Sequence, residues 1–154
     1  MIPAELVRAV AEEVRAAVKL YKMKAEGQDD KPVTVYEQHI PDEDFTSDNY
    51  YPLVIVSLGE VTDKEDGSEA KLGLTFGVYG EDKGAWLDLL SIMERVRQRL
   101  FLNSKLANKF RLILPTKFET IEQQPYPFWF GYATLTYQIG QPNEKMAAEY
   151  EIVM

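Results

Sequence analysis

Residues 70–79 read Ala70-Lys71-Leu72-Gly73-Leu74-Thr75-Phe76-Gly77-Val78-Tyr79. Ala70, Leu72, Leu74, Phe76 and Val78 share one parity; Lys71, Gly73, Thr75, Gly77 and Tyr79 share the other. Successive side chains of a strand point to opposite faces, so this alternation predicts a half-buried strand. Just before it, residues 53–61 form a nearly continuous apolar run, Leu-Val-Ile-Val-Ser-Leu-Gly-Glu-Val. Such a run fits a strand covered on both faces, or covered in part by another subunit. The charged segment 62–68 joins the two, with Gly67 free to take a positive φ, so the pair is expected as a hairpin.

Helices are expected on either side of this hairpin. Leu6, Val7, Val10, Val14, Ala17, Val18 and Tyr21 recur three or four apart and predict an amphipathic helix over 4–23. Pro3 suits its first turn, where a missing N–H costs nothing. Over 83–102, Trp86, Leu89, Leu90, Met93, Val96, Leu100 and Phe101 make a wide apolar stripe on a second helix. Further strands are expected over 33–38, over 110–114 and 117–123 with a break near Pro115, and over 128–139. The predicted order is α-β-β-β-α-β-β. It implies an α+β, two-layer fold: a mostly antiparallel sheet of about five strands with two helices packed on it. The expected organisation is a single domain over 1–140 and a C-terminal tail over 141–154.

Composition removes most catalytic chemistry. The chain has 154 residues, no Cys and a single histidine, His39. Thiol nucleophiles, Cys-based zinc sites and any two-histidine site within one subunit are excluded. None of the five serines sits in a nucleophile-elbow pattern. His39 lies between a strand and Pro41 and reads as a surface or interface residue. The segment around Asp63, Glu65 and Asp66 matches a calcium loop only at Gly67, because Thr62 and Lys64 stand where ligands would be needed. No enzyme activity, metal or cofactor is therefore expected. The start of the chain has no basic region, and Glu5, Glu12 and Glu13 interrupt any apolar run, so no signal peptide is expected. No window approaches a membrane span.

The net charge of −8 is unevenly spread. Residues 26–69 carry 13 acidic and 2 basic side chains, whereas 91–117 carry 1 acidic and 7 basic. Asp42, Glu43, Asp44, Asp63, Glu65 and Asp66 mark the acidic stretch. Arg95, Arg97 and Arg99 mark the basic one. A solvated loop face and a solvated helix face would account for this. Two complementary surfaces that meet between copies of the chain would also do so, and head-to-tail contacts of that kind close into rings when the rotation allows. The aromatic run Tyr126, Phe128, Trp129, Phe130 and Tyr132 places 128, 130 and 132 on one strand face and 129 on the other. One face can enter the core. The other stays exposed unless a helix or another subunit covers it, and exposed aromatics such as Tyr126 and Trp129 suit an interface.

In element order, and in the pieces Tyr51-Pro52-Leu53-Val54-Ile55-Val56, Leu72 to Tyr79, Trp86-Leu87-Asp88-Leu89-Leu90 and Phe128 to Leu135, the chain resembles the tail terminator (tail completion) proteins of tailed phages and prophages, the lambda-like minor tail family. The resemblance covers roughly residues 4–140; the stretch 141–154 has no counterpart in it. It implies a virion structural protein that forms a homohexameric ring on the last ring of the tail tube. There it would end tube growth and present the head-joining surface. The implied partners are further copies of the chain, the tail-tube protein and a neck or head-completion protein, with DNA passing through without specific binding and no membrane involved. The implied location is the virion, after assembly in the bacterial host cytoplasm. A related neck or head–tail joining protein, or a non-phage cytoplasmic binding module of the same fold, is the alternative. An acidic lumen would repel phosphate and let DNA slide.

Overall fold

The computed structural model describes residues 2–40 and 47–142. Helix α1 spans Ile2–Val18 and buries Leu6, Val7, Val10, Ala11, Val14 and Val18. It stops short of the expected end at residue 23. Tyr21, Met23 and Ala25 are still buried, but along an extended segment that lies against the second helix.

The strands are β1 (Thr34–Glu37), β2 (Leu53–Lys64), β3 (Gly67–Tyr79), β4 (Lys105–Leu106), β5 (Phe110–Thr120) and β6 (Phe128–Ile139), with α2 (Gly84–Leu102) between β3 and β4. They form one sheet in the order β1-β2-β3-β6-β5-β4, curled into a half-barrel. The α+β class and both helices stand as expected; the strand count and arrangement do not. There are six strands instead of about five, because two residues at Lys105–Leu106 pair with Arg111 and Phe110. So short a strand leaves no periodic signal in the sequence. β1 runs parallel to β2, while every other pair is antiparallel. The last strand, β6, lies inside the sheet between β3 and β5.

Two expected breaks are also absent. β2 and β3 run through the charged segment 62–68, and only Glu65 and Asp66 remain as the turn, with Gly67 at φ 146°. β5 continues past Pro115 and absorbs it in a register shift between Ile113 and Lys117. A proline cannot donate to a ladder, so a bulge on a sheet margin is where it is tolerated.

The alternation read in residues 70–79 sets the layers. Ala70, Leu72, Leu74, Phe76 and Val78 are all buried. They meet Tyr137, Leu135, Ala133, Gly131 and Trp129 of β6 in register. This face carries both helices and the main core, including Val10, Val14, Ile92, Val96 and Leu100. Burying one such side chain contributes about 2 kcal/mol. Gly131 lies directly under Met93, whose sulfur occupies the space that a Cβ there would need.

The other sheet face is split. At one end Ile40, Tyr51, Leu53 and Ile55 form a second small core with Tyr36, Tyr50, Tyr79, Phe128 and Phe130 packed on it. Tyr51 lies 5.0 Å from the Phe128 ring and 5.9 Å from Phe130. Gly77 makes room for this, since a Cβ there would sit 2.6 Å from Tyr51 Cε1. The remainder of that face carries polar side chains such as Lys71, Lys117, Glu119 and Arg111.

The expected acidic-loop residues Asp42, Glu43 and Asp44 lie outside the described residues, as does the stretch 143–154 of the expected tail.

Candidate functional site

Three arginines were expected to present one basic helix surface. The structure divides them between two sides of α2. Helical steps of 100° carry Arg97 to the opposite side from Arg95 and Arg99. Arg99 Nη2 reaches Glu13 of α1 at 3.3 Å. Arg95 lies over the Tyr21 ring, 5.0 Å from its centroid. Both are therefore engaged with the chain's own N-terminal part. Arg97 pairs with Glu94 one turn away and stacks over Phe101, both on the outer side of α2.

That outer side is apolar as well as charged. Leu87, Leu90 and Phe101 are nearly half exposed. A helix that is apolar beyond the stripe facing its own core has surface left for something else. Beside it, Leu90, Met93, Glu94 and Arg97 line one wall of an open groove of about 420 Å³, and Phe118, Glu119 and Thr120 of β5 line the other. Farther along β5, Leu114 is 62% exposed.

The groove coincides with an open sheet margin. β4 covers β5 only at Phe110 and Arg111. Beyond Leu112, whose N–H donates to the Ser104 carbonyl, no described strand pairs with the outer side of β5. The opposite margin is open too. β1 covers β2 only over Leu53–Val56. Gln38 then leaves the sheet at φ 74° while its side-chain oxygen accepts the Leu58 N–H at 2.7 Å. From Gly59 onward the outer side of β2 has no described strand beside it. Val61 is 40% exposed there, with Glu60 and Asp63 next to it. Asp63, Glu65 and Asp66 thus come together at the hairpin end. Asp63 accepts from the Ser68 hydroxyl, and Lys64 and Lys71 pair with Glu69 and Glu60.

Tyr126 and Trp129 are held by internal bonds. Trp129 Nε1 donates to the Gly80 carbonyl at 2.9 Å and the Tyr126 hydroxyl donates to the Glu81 carbonyl at 3.0 Å. Trp129 is partly buried beside the main core, and Tyr126 is largely exposed. Together they tie the 126–129 segment to the turn ahead of α2. His39 is exposed and its backbone N–H bonds to Glu37.

The residue that sequence reasoning missed is Asp88. It is fully buried in the middle of an otherwise apolar helix face. Its carboxylate accepts from the Tyr21 hydroxyl at 2.6 Å and from the backbone N–H groups of Lys24 and Ala25 at 2.6 and 2.8 Å. Three donors compensate the desolvation of the carboxylate. The close approach also needs Gly84, because a Cβ there would lie 2.8 Å from Ala25 Cα and the Lys24 carbonyl oxygen. This is a structural clamp, which keeps α2 in place beside the groove. Its signal in the sequence was a lone aspartate on the buried face of a strong amphipathic helix.

Among the described residues, no group of three or more His, Asp or Glu side chains is arranged to hold a metal ion. No described helix is long and apolar enough to cross a membrane.

No family model matches the chain, and no curated protein matches it. Among solved structures it is similar to a chain of the virion of a native gene transfer agent particle. The two share 14% identity over 88% of this chain and 95% of that one, with a TM-score of 0.46.

Proposed function

We propose that the chain is a virion structural protein of the tail-terminator kind. In this reading it forms a homohexameric ring on the last ring of a tail tube, ends tube growth and offers the surface to which a neck or head-completion protein joins. It works by contact and not by catalysis, and DNA passes its ring unread.

The observation that carries the reading is the surface left open on a single copy. Among the described residues, both margins of the sheet are unpaired over long stretches, and α2 exposes Leu87, Leu90 and Phe101 on its outer side. Exposed margins invite pairing with another chain, and proteins that remain alone usually blunt or cover them. Here the two margins differ: one carries Glu60 and Asp63 beside Val61, and the other carries the pairs Arg97–Glu94 and Lys117–Glu119 beside Leu90 and Phe118. Surfaces of that kind suit head-to-tail contact, which closes into a ring. The resemblance in element order and strand motifs to the tail-terminator family supplies the place of such a ring in a particle.

The test is electron microscopy of particles assembled without this protein. Overlong tails lacking heads are expected, with normal length and joining restored by the intact gene. Tails of normal length joined to heads would overturn the assignment.

A further inference from the structure

The open margin of β2 and the segment 143–154, which lies outside the described residues, carry matching chemistry. We infer that residues 149–154 add a strand to their own sheet, antiparallel to β2 along Gly59–Lys64, with Ile152 beside Val61. The inference stands apart from the ring reading. It makes the added strand, in place of β2, the margin that a neighbour meets on that side.

The chain leaves β6 at the end of the sheet where this strand has to start. Ile139 pairs with Ser68, next to the β2–β3 turn, and the Gln141 side-chain amide donates to the Lys64 carbonyl at 2.5 Å. From the β6 column to the outer side of β2 is three strand spacings, about 14 Å, and residues 142–148 span up to about 23 Å when extended. A strand that starts there and returns along β2 runs antiparallel to it, the more stable sense. In the other direction β4 closes the near end of the β5 margin at Phe110 and Arg111. So short a tether holds the segment near its own β2 at an effective concentration on the order of millimolar, which favours its own margin over a neighbour's.

The backbone of the margin is set to receive it. The two-residue turn makes Lys64 and Gly67 a hydrogen-bonded pair, so Val61 and Asp63 direct their N–H and C=O groups outward. Among the described residues no strand takes them. On the helix-bearing face Leu58 and Val61 lie opposite Leu72 and Ala70. Leu58 also borders an open trough of about 340 Å³, whose walls are Pro3, Ala4 and Val7 of α1, Gln38, and the pair Arg8–Glu37.

The segment has the parity of such a strand. Met146, Ala148, Tyr150, Ile152 and Met154 share one parity; Lys145, Ala147, Glu149, Glu151 and Val153 share the other. With the first set on the helix-bearing face and Ile152 opposite Val61, Tyr150 falls opposite Asp63. Met154 falls opposite Gly59, beside Leu58 and the trough. On the polar face Glu149 comes beside Lys64, Glu151 beside Thr62 and Val153 beside Glu60. No two acids are then directly opposed, whereas a shift that puts Tyr150 against Val61 sets Glu151 against Glu60, which is destabilising. Charge excludes that shift; the tether, the strand direction and the apolar parity select the occupant.

The absence of Cys makes the test direct. In this register Thr62 and Glu151 form a non-hydrogen-bonded pair, where side chains stand closest. Full-length T62C/E151C is oxidised, with K117C/E151C as control, since Lys117 is exposed on the opposite margin. A disulfide within one chain, read by mass spectrometry of the monomer band, is expected at least tenfold above the control. Amide exchange at Val61 and Asp63 is expected to be at least tenfold slower in the full-length wild type than in full-length I152D, with Ala70 and Leu72 unchanged. Cross-linking no better than the control, or equal exchange in wild type and I152D, overturns the docking. A link that forms only between chains, when T62C and E151C single variants are mixed, overturns it too and makes the segment an arm held by the next copy.

Discussion

The Asp88 carboxylate accepts the Tyr21 hydroxyl at 2.6 Å across 67 positions of sequence, and the same carboxylate takes the N–H groups of Lys24 and Ala25. These bonds hold the chain that follows α1, from Tyr21 to Ala25, against α2. The Lys24 and Ala25 N–H groups, once drawn to α2, are no longer available to an i→i−4 ladder. Removing the carboxylate leaves two backbone donors and a phenol without their acceptor in a buried place. Asp88→Ala is expected to cost about 3–4 kcal/mol, because each orphaned buried donor costs about 1–3 kcal/mol. Tyr21→Phe, which removes only one donor, is expected to cost about 1 kcal/mol. Urea unfolding followed by circular dichroism measures both. An Asp88→Ala loss below that of Tyr21→Phe would show that the clamp does not hold the segment.

Alkaline pH should loosen the same region. Burial first, and the hydrogen bond to Asp88 second, push the Tyr21 hydroxyl up to about 12. Burial likewise raises the Tyr137 hydroxyl, with Glu13 adding to it. In the unfolded chain a tyrosine titrates near 10. The folded state therefore holds these protons more tightly. Their contribution to stability is complete below about pH 10 and is lost as pH rises through about 12. Unfolding free energy is expected to fall across that window, and less steeply in Tyr21→Phe. Phenolate absorbance that reports all nine tyrosines titrating together near pH 10 in the folded protein would contradict the placement of Tyr21 and Tyr137.

Tyr137 offers a separate test of the core. Its ring is fully buried between sheet and helices, and its hydroxyl has no hydrogen-bond partner among the described residues. A buried hydroxyl without a partner costs free energy that a phenylalanine of the same shape does not. Tyr137→Phe is expected to leave stability unchanged or raise it by about 1 kcal/mol, read as a higher midpoint in thermal unfolding. A loss above about 1 kcal/mol would mean that the hydroxyl is bonded after all.

Where the sequence was legible, a period carried the information. The parity of Ala70 to Tyr79 set both the strand and its buried face, and the same rule placed Phe128 and Phe130 opposite Trp129. The three-to-four spacing of Trp86 to Phe101 placed α2 to within a residue at its start. Where no period existed, the reading fell short. Lys105 and Leu106 pair because the chain returns past Phe110 and Arg111, which is a matter of tertiary packing. β1 lies parallel to β2 because the chain crosses over between them, and neighbouring strands in sequence do not reveal direction. The surface was the least legible part. Charge counts gathered Arg95, Arg97 and Arg99 into one patch, but a helix distributes alternate residues around its axis. The open margins depend on where β1 and β4 stop, which no side-chain pattern records.

The division among those arginines yields the last prediction. Arg99 reaches a Glu13 side chain that is only 16% exposed, and Arg97 reaches the half-exposed Glu94. Reversing the charge at Arg99 sets two acids together at the junction of α1 and α2, where water screens them poorly. Reversing it at Arg97 also sets two acids together, but on the solvent side, where such pairs are worth little. Arg99→Glu is expected to lower stability by about 1–2 kcal/mol, and Arg97→Glu by no more than about 0.5 kcal/mol. Urea unfolding of the two single variants separates them. Equal losses would place Arg99 in solvent and return the three arginines to a single basic face.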